Sequence, residues 1–303
     1  MPRAIVLEKT DGKPGQVYYP LKTISVPAPT PKEDELLVRV SAAALNHRDL
    51  FLRQHLYPGI AFDVPVLADG VGTVVGTGSA ALDAQWKGKR VILTPSRGWE
   101  SSSEGPDGPS GQIVILGGTR FHPLGTLQEI VCVEAAEVEL APEHLNVHEA
   151  AALPLTGLTA WRAFFTKSGN ALPEHNILIT GIGGGVALNA LQFAVEAGCN
   201  VYVTSGSEEK IARAKEMGAR AGVNYREEGW ENKLMEMLPN QRRWLDAIID
   251  GAGGDIAGKT AKILKVSGTV DVARGKTSWT DDVTSTWLAW VAFRQEESSS
   301  AMA

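Results

Sequence analysis

Cysteine is almost missing from this chain: Cys132 and Cys199 stand far apart, neither in a CxxC pair nor beside clustered histidines. That excludes a disulfide framework and a zinc knuckle, and leaves the two thiols as small apolar groups. An excess of positive charge is lacking too, since 29 Lys and Arg face 35 Asp and Glu for a formal charge of −6. Nothing in that balance supports binding to nucleic acid. No window approaches the roughly 20 apolar residues that span a bilayer, and the start MPRAIVLEKT has no apolar stretch behind a basic flank. The expectation is a soluble cytosolic protein that acts on a small-molecule substrate, away from membranes and nucleic acid.

What is present divides in two, as a length of 303 residues suggests. The first half reads as short β-rich runs punctuated by turns, at Leu36 to Ala42, Gly70 to Gly78, Arg90 to Leu93 and Gln128 to Val133. This pattern predicts a β-rich, barrel-like domain. Thr94 to Gly118, rich in Ser, Gly and Pro, reads as a long exposed loop. Helix formers fill Ala150 to Thr166, and strand-like and helix-like segments alternate from Asn176 onward, as in βαβ units with a parallel sheet. The organisation expected is 1–148, 149–278 and a tail at 279–303.

ILITGIGGGVALNALQFA, from Ile177, sets Gly181, Gly183, Gly184 and Gly185 between a predicted strand (Ile177 to Thr180) and a predicted helix (Val186 to Ala197). A side-chain-free turn there lets backbone amides and the helix dipole meet a dinucleotide pyrophosphate. The final glycine of GxGxxG is missing, with Val186 in its place; reading GxxGxxA from Gly181 keeps Ala187 where helix meets strand. The alternative is a tight turn with no ligand. The next strand, Asn200 to Thr204, ends at Ser205-Gly206-Ser207, about where an acid would hold the ribose of NAD. Ser205, Ser207 and Lys210 leave room and charge for a 2′-phosphate, which favours NADPH, while Glu208 and Glu209 also suit the first turn of a helix.

These segments together resemble the medium-chain dehydrogenase/reductase superfamily, specifically its zinc-free quinone oxidoreductase (zeta-crystallin-like) branch. The resemblance rests on AAALNHRDLFLRQHLYPG, LADGVGTVVGTG, LPLTGLTAWRA, the Gly183 to Ala187 turn with Gln192, and GVNYREE. It implies a GroES-like catalytic domain joined to a Rossmann domain, with the active site in the cleft between them. Where zinc alcohol dehydrogenases of the superfamily place a Cys, a His followed by Glu, and another Cys, this chain has Asn46, Ala68 before Asp69, and no cysteine near Leu153 to Thr156. The Thr94 to Gly118 loop has none of the four cysteines of their structural zinc. No metal is expected, and His47 and His55 read as ordinary surface or packing residues.

The resemblance assigns Tyr57 the polar contact to substrate and has Asn46 shape the pocket; a tyrosine there is as often half-buried packing. Asp49 is expected to hold its loop or pair with Arg48 or Arg53. Thr156, Tyr225, Gly251 and Ala252 are implied as further cofactor contacts, against structural alternatives of helix capping, sheet-edge packing and chain turning. Beyond about Ser278 the resemblance stops. The tail holds Trp279, Trp287 and Trp290, and relatives would continue with a last Rossmann strand that commonly pairs two subunits. The implied product is truncated, with an incomplete sheet and a weakened homodimer. Two functions stand: an NADPH-dependent reductase of quinones or α,β-unsaturated carbonyls, and a non-catalytic remnant that binds nucleotide or a partner through its tail, with an alcohol dehydrogenase third.

Overall fold

A computed structural model describes residues 1–272 except 103, 104, 109 and 110, so the 279–303 tail lies outside the described residues. The chain divides into two compact units, the first running from Met1 to Leu155 and the second beginning at Thr156.

In the first unit, β1 (Arg3–Leu7) pairs antiparallel with β2 (Leu21–Ser25). β3 (Glu35–Ala44) leads into α1 (His47–Arg53), and β4 (Asp69–Thr77) leads into α2 (Ala80–Trp86). β5 (Arg90–Leu93), β6 (Ser96–Arg97), β7 (Val114–Ile115), β8 (Ile130–Glu134), β9 (Val138–Leu140) and α3 (Val147–Ala152) follow. Five of these strands form an antiparallel sheet in the order β8-β3-β4-β5-β9. Period-2 alternation in β3 turns Leu36 and Val38 inward, where they meet Val74, Val91, Leu93, Val131 and Val133. Each such burial stabilises by about 1.5–3 kcal/mol relative to exposure. Gly72 of β4 has a packing reason, since a Cβ there would lie 2.4 Å from the Arg39 carbonyl oxygen of β3.

Two boundaries differ from the sequence reading. The first unit extends past residue 148 because α3 packs on its sheet, with Ala150 and Ala151 against Val71. The Thr94–Gly118 stretch is not wholly loop. β6 and β7 pair within it, and the Asp107 carboxylate accepts from the amides of Glu100, Ser101 and Ser102 at 2.7, 2.8 and 2.9 Å. Strands of two residues are too short to show periodicity in sequence.

In the second unit, α4 (Pro154–Trp161), which straddles the boundary, runs into a π-helical turn at Arg162–Lys167. Then come β10 (Asn176–Ile179), α5 (Gly185–Glu196), β11 (Asn200–Ser205), α6 (Glu208–Glu216) and β12 (Ala221–Asn224). α7 (Trp230–Met237), β13 (Leu245–Asp250), α8 (Ile256–Thr260) and β14 (Leu264–Val272) complete the described part. All strands are parallel, in the order β12-β11-β10-β13-β14. This is the doubly wound order, and its direction reverses beside β10. Both faces are covered: α5 lays Ala190, Leu191 and Ala194 on Ile177, Ile179, Val201 and Val203, while Trp230 and Leu234 pack with Leu178, Tyr202 and Ile248. Such two-sided burial explains why these strands read as continuous apolar runs. Among the described residues, no helix is long and apolar enough to cross a membrane.

Candidate functional site

At the carboxyl end of β10 the chain turns through four glycines, three of which the protein itself requires. Gly181 (φ +63°) and Gly183 (φ +110°) occupy backbone conformations that L side chains rarely adopt. A Cβ on Gly185 would lie 2.7 Å from Cγ2 of Thr156, whose Oγ1 accepts from Asn189 at 3.1 Å. Gly184 is different. Its φ and ψ, −81° and 151°, suit any residue, and the nearest atom to an added Cβ is the Gly181 carbonyl oxygen at 3.7 Å. Nothing inside the protein requires glycine there. Gly184 is also the N-cap of α5, with no side chain to accept from the first helical amides, which lack acceptors within the helix. Open room, helix amides and the positive end of a helix dipole form a cradle that fits a pyrophosphate. Val186 and Ala187 pack their side chains on the core, so they can offer backbone only. Lys210 borders the turn: a Cβ on Gly183 would meet its Cδ at 2.8 Å and its Nζ at 3.2 Å.

Ser205, buried at the end of β11, accepts from the Ser207 amide at 3.2 Å through Oγ. Ser207 caps α6, its Oγ accepting from the Lys210 amide at 3.4 Å. Glu208 is engaged by Asn224, whose Nδ2 donates to its carboxylate at 2.9 Å. Over Gly206 lie two side chains, since a Cβ there would be 2.8 Å from Tyr225 Oη and 2.8 Å from Arg226 Nε. Sequence reasoning singled out Tyr225 and passed over Arg226, although a cation directly after that tyrosine was a signal in plain view.

After β13, Asp250 organises the next loop. It accepts from the Thr180 hydroxyl and from the amides of Ala252 and Gly253 at 3.1 and 3.2 Å, while the Gly251 amide donates to Thr180 at 3.0 Å. This ties the end of β13 to the end of β10 and brings Ala252 within 3.4 Å of a Cβ on Gly181. Thr180 and Asp250 were not anticipated as a pair; adjacent strand ends make them one.

The first unit holds the remaining expected residues. Asn46 Nδ2 donates to Asp69 Oδ2 at 2.8 Å, and the Leu155 amide donates to Asp69 Oδ1 at 3.0 Å. The Asn46 amide donates to Asp49 at 2.7 Å, closing the start of α1. Asp49 pairs with Arg48 at 3.2 Å; Arg48 also donates to the Gly117 carbonyl at 2.9 Å and lies 4.7 Å from the Tyr57 ring centroid. Arg53 turns away, donating to the Tyr19 carbonyl at 2.8 Å. Tyr57 is half-buried on the cluster around Leu52 and Leu67. Burial pushes the Asp69 carboxyl up to about 7, against the hydrogen bonds from Asn46 and Leu155, with the Asp49 charge adding to the rise. Burial also raises Asp49, opposed by Arg48 and the Asn46 amide. The His47 and Phe51 rings meet tilted, with centroids 5.8 Å apart, and His55 bonds the Tyr19 hydroxyl. Among the described residues, no three His, Cys, Asp or Glu side chains converge as metal ligands.

Residues 32–143 match the alcohol dehydrogenase GroES-like domain, and residues 185–276 match the zinc-binding dehydrogenase family. The zinc-type alcohol dehydrogenase-like protein YogA of Leptosphaeria maculans is 52% identical over 274 residues, 89% of this chain and 76% of that protein. A chloroplastic NADPH-dependent alkenal/one oxidoreductase of Arabidopsis thaliana is 28% identical over 254 residues, 83% of this chain and 58% of that protein. The crystal structure of an NAD-dependent alcohol dehydrogenase is similar with a TM-score of 0.71 and 31% identity, covering 88% of this chain and 76% of that one. A doubly wound parallel sheet with a glycine cradle, joined in one chain to a GroES-like β unit, defines a nucleotide-dependent oxidoreductase. This chain belongs to the medium-chain dehydrogenase/reductase superfamily.

Proposed function

We propose that this protein is an NADPH-dependent reductase that delivers hydride to a quinone or an α,β-unsaturated carbonyl without zinc. The observation that carries the reading is the Asn46–Asp69 pair. At the positions the resemblance gives to catalytic zinc ligands stand Asn46, whose amide nitrogen is donating, Ala68 before Asp69, and no cysteine near Leu153 to Thr156, while the Asp69 carboxyl already accepts two hydrogen bonds. Zinc takes thiolate, imidazole or carboxylate ligands in a tetrahedral array, and this donor set does not fit it. Without a Lewis acid to stabilise the alkoxide, alcohol oxidation is difficult; reduction of an electron-poor acceptor is easier.

The cradle at Gly184, the lack of an acid at Ser205 and the cation Lys210 support NADPH as the cofactor. Bound there, the nicotinamide supplies the hydride, and the protein orients the acceptor and meets the charge that develops on its oxygen. Tyr57 donates that hydrogen bond, with Arg48 over its ring, and Asn46, oriented by Asp69 at the start of α1, shapes the pocket.

The test is NADPH oxidation against a panel of quinones, enones and alcohols, with and without a zinc chelator. Turnover of an enone or quinone is expected, unchanged by chelation. Tyr57→Phe lowers kcat by about 10²-fold or more and leaves the NADPH Kd unchanged. Alcohol oxidation that chelation abolishes would overturn the reading.

A further inference from the structure

Burying a charge is costly unless its hydrogen bonds are complete, and Arg48 is buried with its own incomplete. Its guanidinium pairs with Asp49 at 3.2 Å and donates to the Gly117 carbonyl at 2.9 Å, while its buried Nε meets no acceptor among the described residues. A buried donor left unmatched calls for a reason beyond packing. Against the guanidinium lies the ring of Tyr57, its centroid 4.7 Å from the guanidinium carbon. We infer that Arg48 is a positioning residue that acts through Tyr57: its charge over the ring strengthens the tyrosine hydroxyl as a donor to the substrate oxygen. The inference rests on the reading of Tyr57 as that donor and identifies what sets its strength.

Local structure makes the contact. α1 ends at Arg53, and His55, in the left-handed region at φ +55°, turns the chain back, with the Leu56 amide donating to the Phe51 carbonyl at 2.8 Å. Tyr57 thereby returns to the helix that carries Arg48. Gly117, the other partner, is fixed at φ +86°: a Cβ there would lie 2.4 Å from the Leu67 carbonyl oxygen, and its amide donates to the Leu124 carbonyl at 2.6 Å. A carboxylate and a carbonyl therefore hold the guanidinium before any substrate arrives.

Charge decides what the contact does. A cation over an aromatic face attracts the ring's electrons, and more strongly where water is excluded. As an enone or quinone takes up hydride at carbon, its π pair moves onto oxygen, and the hydrogen bond from Tyr57 tightens to meet that charge. Part of the charge passes to the tyrosine oxygen and ring, where Arg48 stabilises it. The attraction is thus greater in the transition state than before it, which lowers the barrier instead of merely tightening substrate binding. Burial, which raises Asp49 and brings Asp69 up to about 7, works against the carboxylate charges that would cancel the cation.

The experiment measures kcat and KM with NADPH for a quinone and an enone in wild type, Arg48→Gln, Arg48→Lys, Tyr57→Phe and the Arg48→Gln, Tyr57→Phe double variant, with thermal unfolding and the NADPH Kd as controls. Arg48→Gln removes the charge yet can still donate to Gly117; it is expected to lower kcat by about 10-fold, with KM and the NADPH Kd unchanged. Arg48→Met serves the same comparison if Arg48→Gln does not fold. Arg48→Lys, which keeps the charge, recovers most of the loss. In the Tyr57→Phe background the change at Arg48 has no further effect, because its route to the substrate is gone. A wild type that reduces neither acceptor, or a Tyr57→Phe variant with wild-type kcat, would overturn the Tyr57 reading beneath the inference. Full activity in Arg48→Gln, an equal loss in Arg48→Lys, or an undiminished loss in the Tyr57→Phe background would overturn the role of Arg48 while leaving Tyr57 in place.

Discussion

Around Gly184 the second unit leaves room and helix amides without acceptors in their own helix, whereas around Asp69 the first unit closes both carboxylate oxygens onto donors of its own chain. The first arrangement is incomplete until an anion arrives. The second is complete already, so its residues are held in place before any substrate is present. On the proposed reading, a cofactor cradle is built by what is left out, and a catalytic surface by what is fixed in advance. The two therefore respond to mutation in opposite ways.

The sharpest test of that contrast is Gly184→Asp. The backbone there accepts any residue, and aspartate is a favourable helix N-cap, so stability is expected to hold or rise by up to about 1 kcal/mol. A carboxylate in the cradle repels a pyrophosphate, so NADPH affinity is expected to fall by roughly 100-fold or more. Thermal unfolding and a nucleotide titration measure the two effects; retained binding would mean that the turn holds no anion.

At Asp69 the expected effect is smaller and depends on pH. Its carboxyl, pushed up to about 7 by burial, keeps its proton in the folded chain where the unfolded chain has lost it. The folded state is therefore favoured below the ordinary carboxylate range, and this contribution is lost as pH rises to about 7. Denaturant unfolding at several pH values should show Asp69→Asn gaining on wild type across that window. His122, which burial drives down to about 4, acts with the opposite sign inside the same window, its contribution being lost as pH falls toward about 4, and it cancels in the difference between the two proteins. Equal pH profiles would show that Asp69 titrates normally and that the polar web is wetter than its burial indicates.

The smallest effect is expected at Ser207. As the N-cap of α6 its loss to alanine costs about 1 kcal/mol. The ratio of NADPH to NADH affinity should stay unchanged; a fallen ratio would give this hydroxyl a direct part in cofactor recognition.

What could be read from sequence was what is local. The turn after β10 announces itself because four glycines separate a buried apolar strand from a helix with its own periodicity, and the helix begins at Gly185, one residue earlier than expected. Contacts made across the fold were not legible. Arg226 meets Gly206 only through the pairing of β11 with β12, and Asp69 meets the Leu155 amide 86 residues away. Neither distance has a trace in local pattern, because register is settled by the burial of whole strands.

The bond between the Ala252 amide and the Thr180 hydroxyl joins residues 72 positions apart. β10 can pair with β11 early, across a short connection, but the loop carrying Ala252 reaches it only after β13 has inserted on the other side. Long-range parallel pairing of this kind comes late and slowly in folding. On the proposed reading, the number of nucleotides bound per chain therefore reports how many molecules have β13 in place beside β10. A defect in β13 that stalls insertion should lower that stoichiometry in a preparation while the remaining sites keep their affinity.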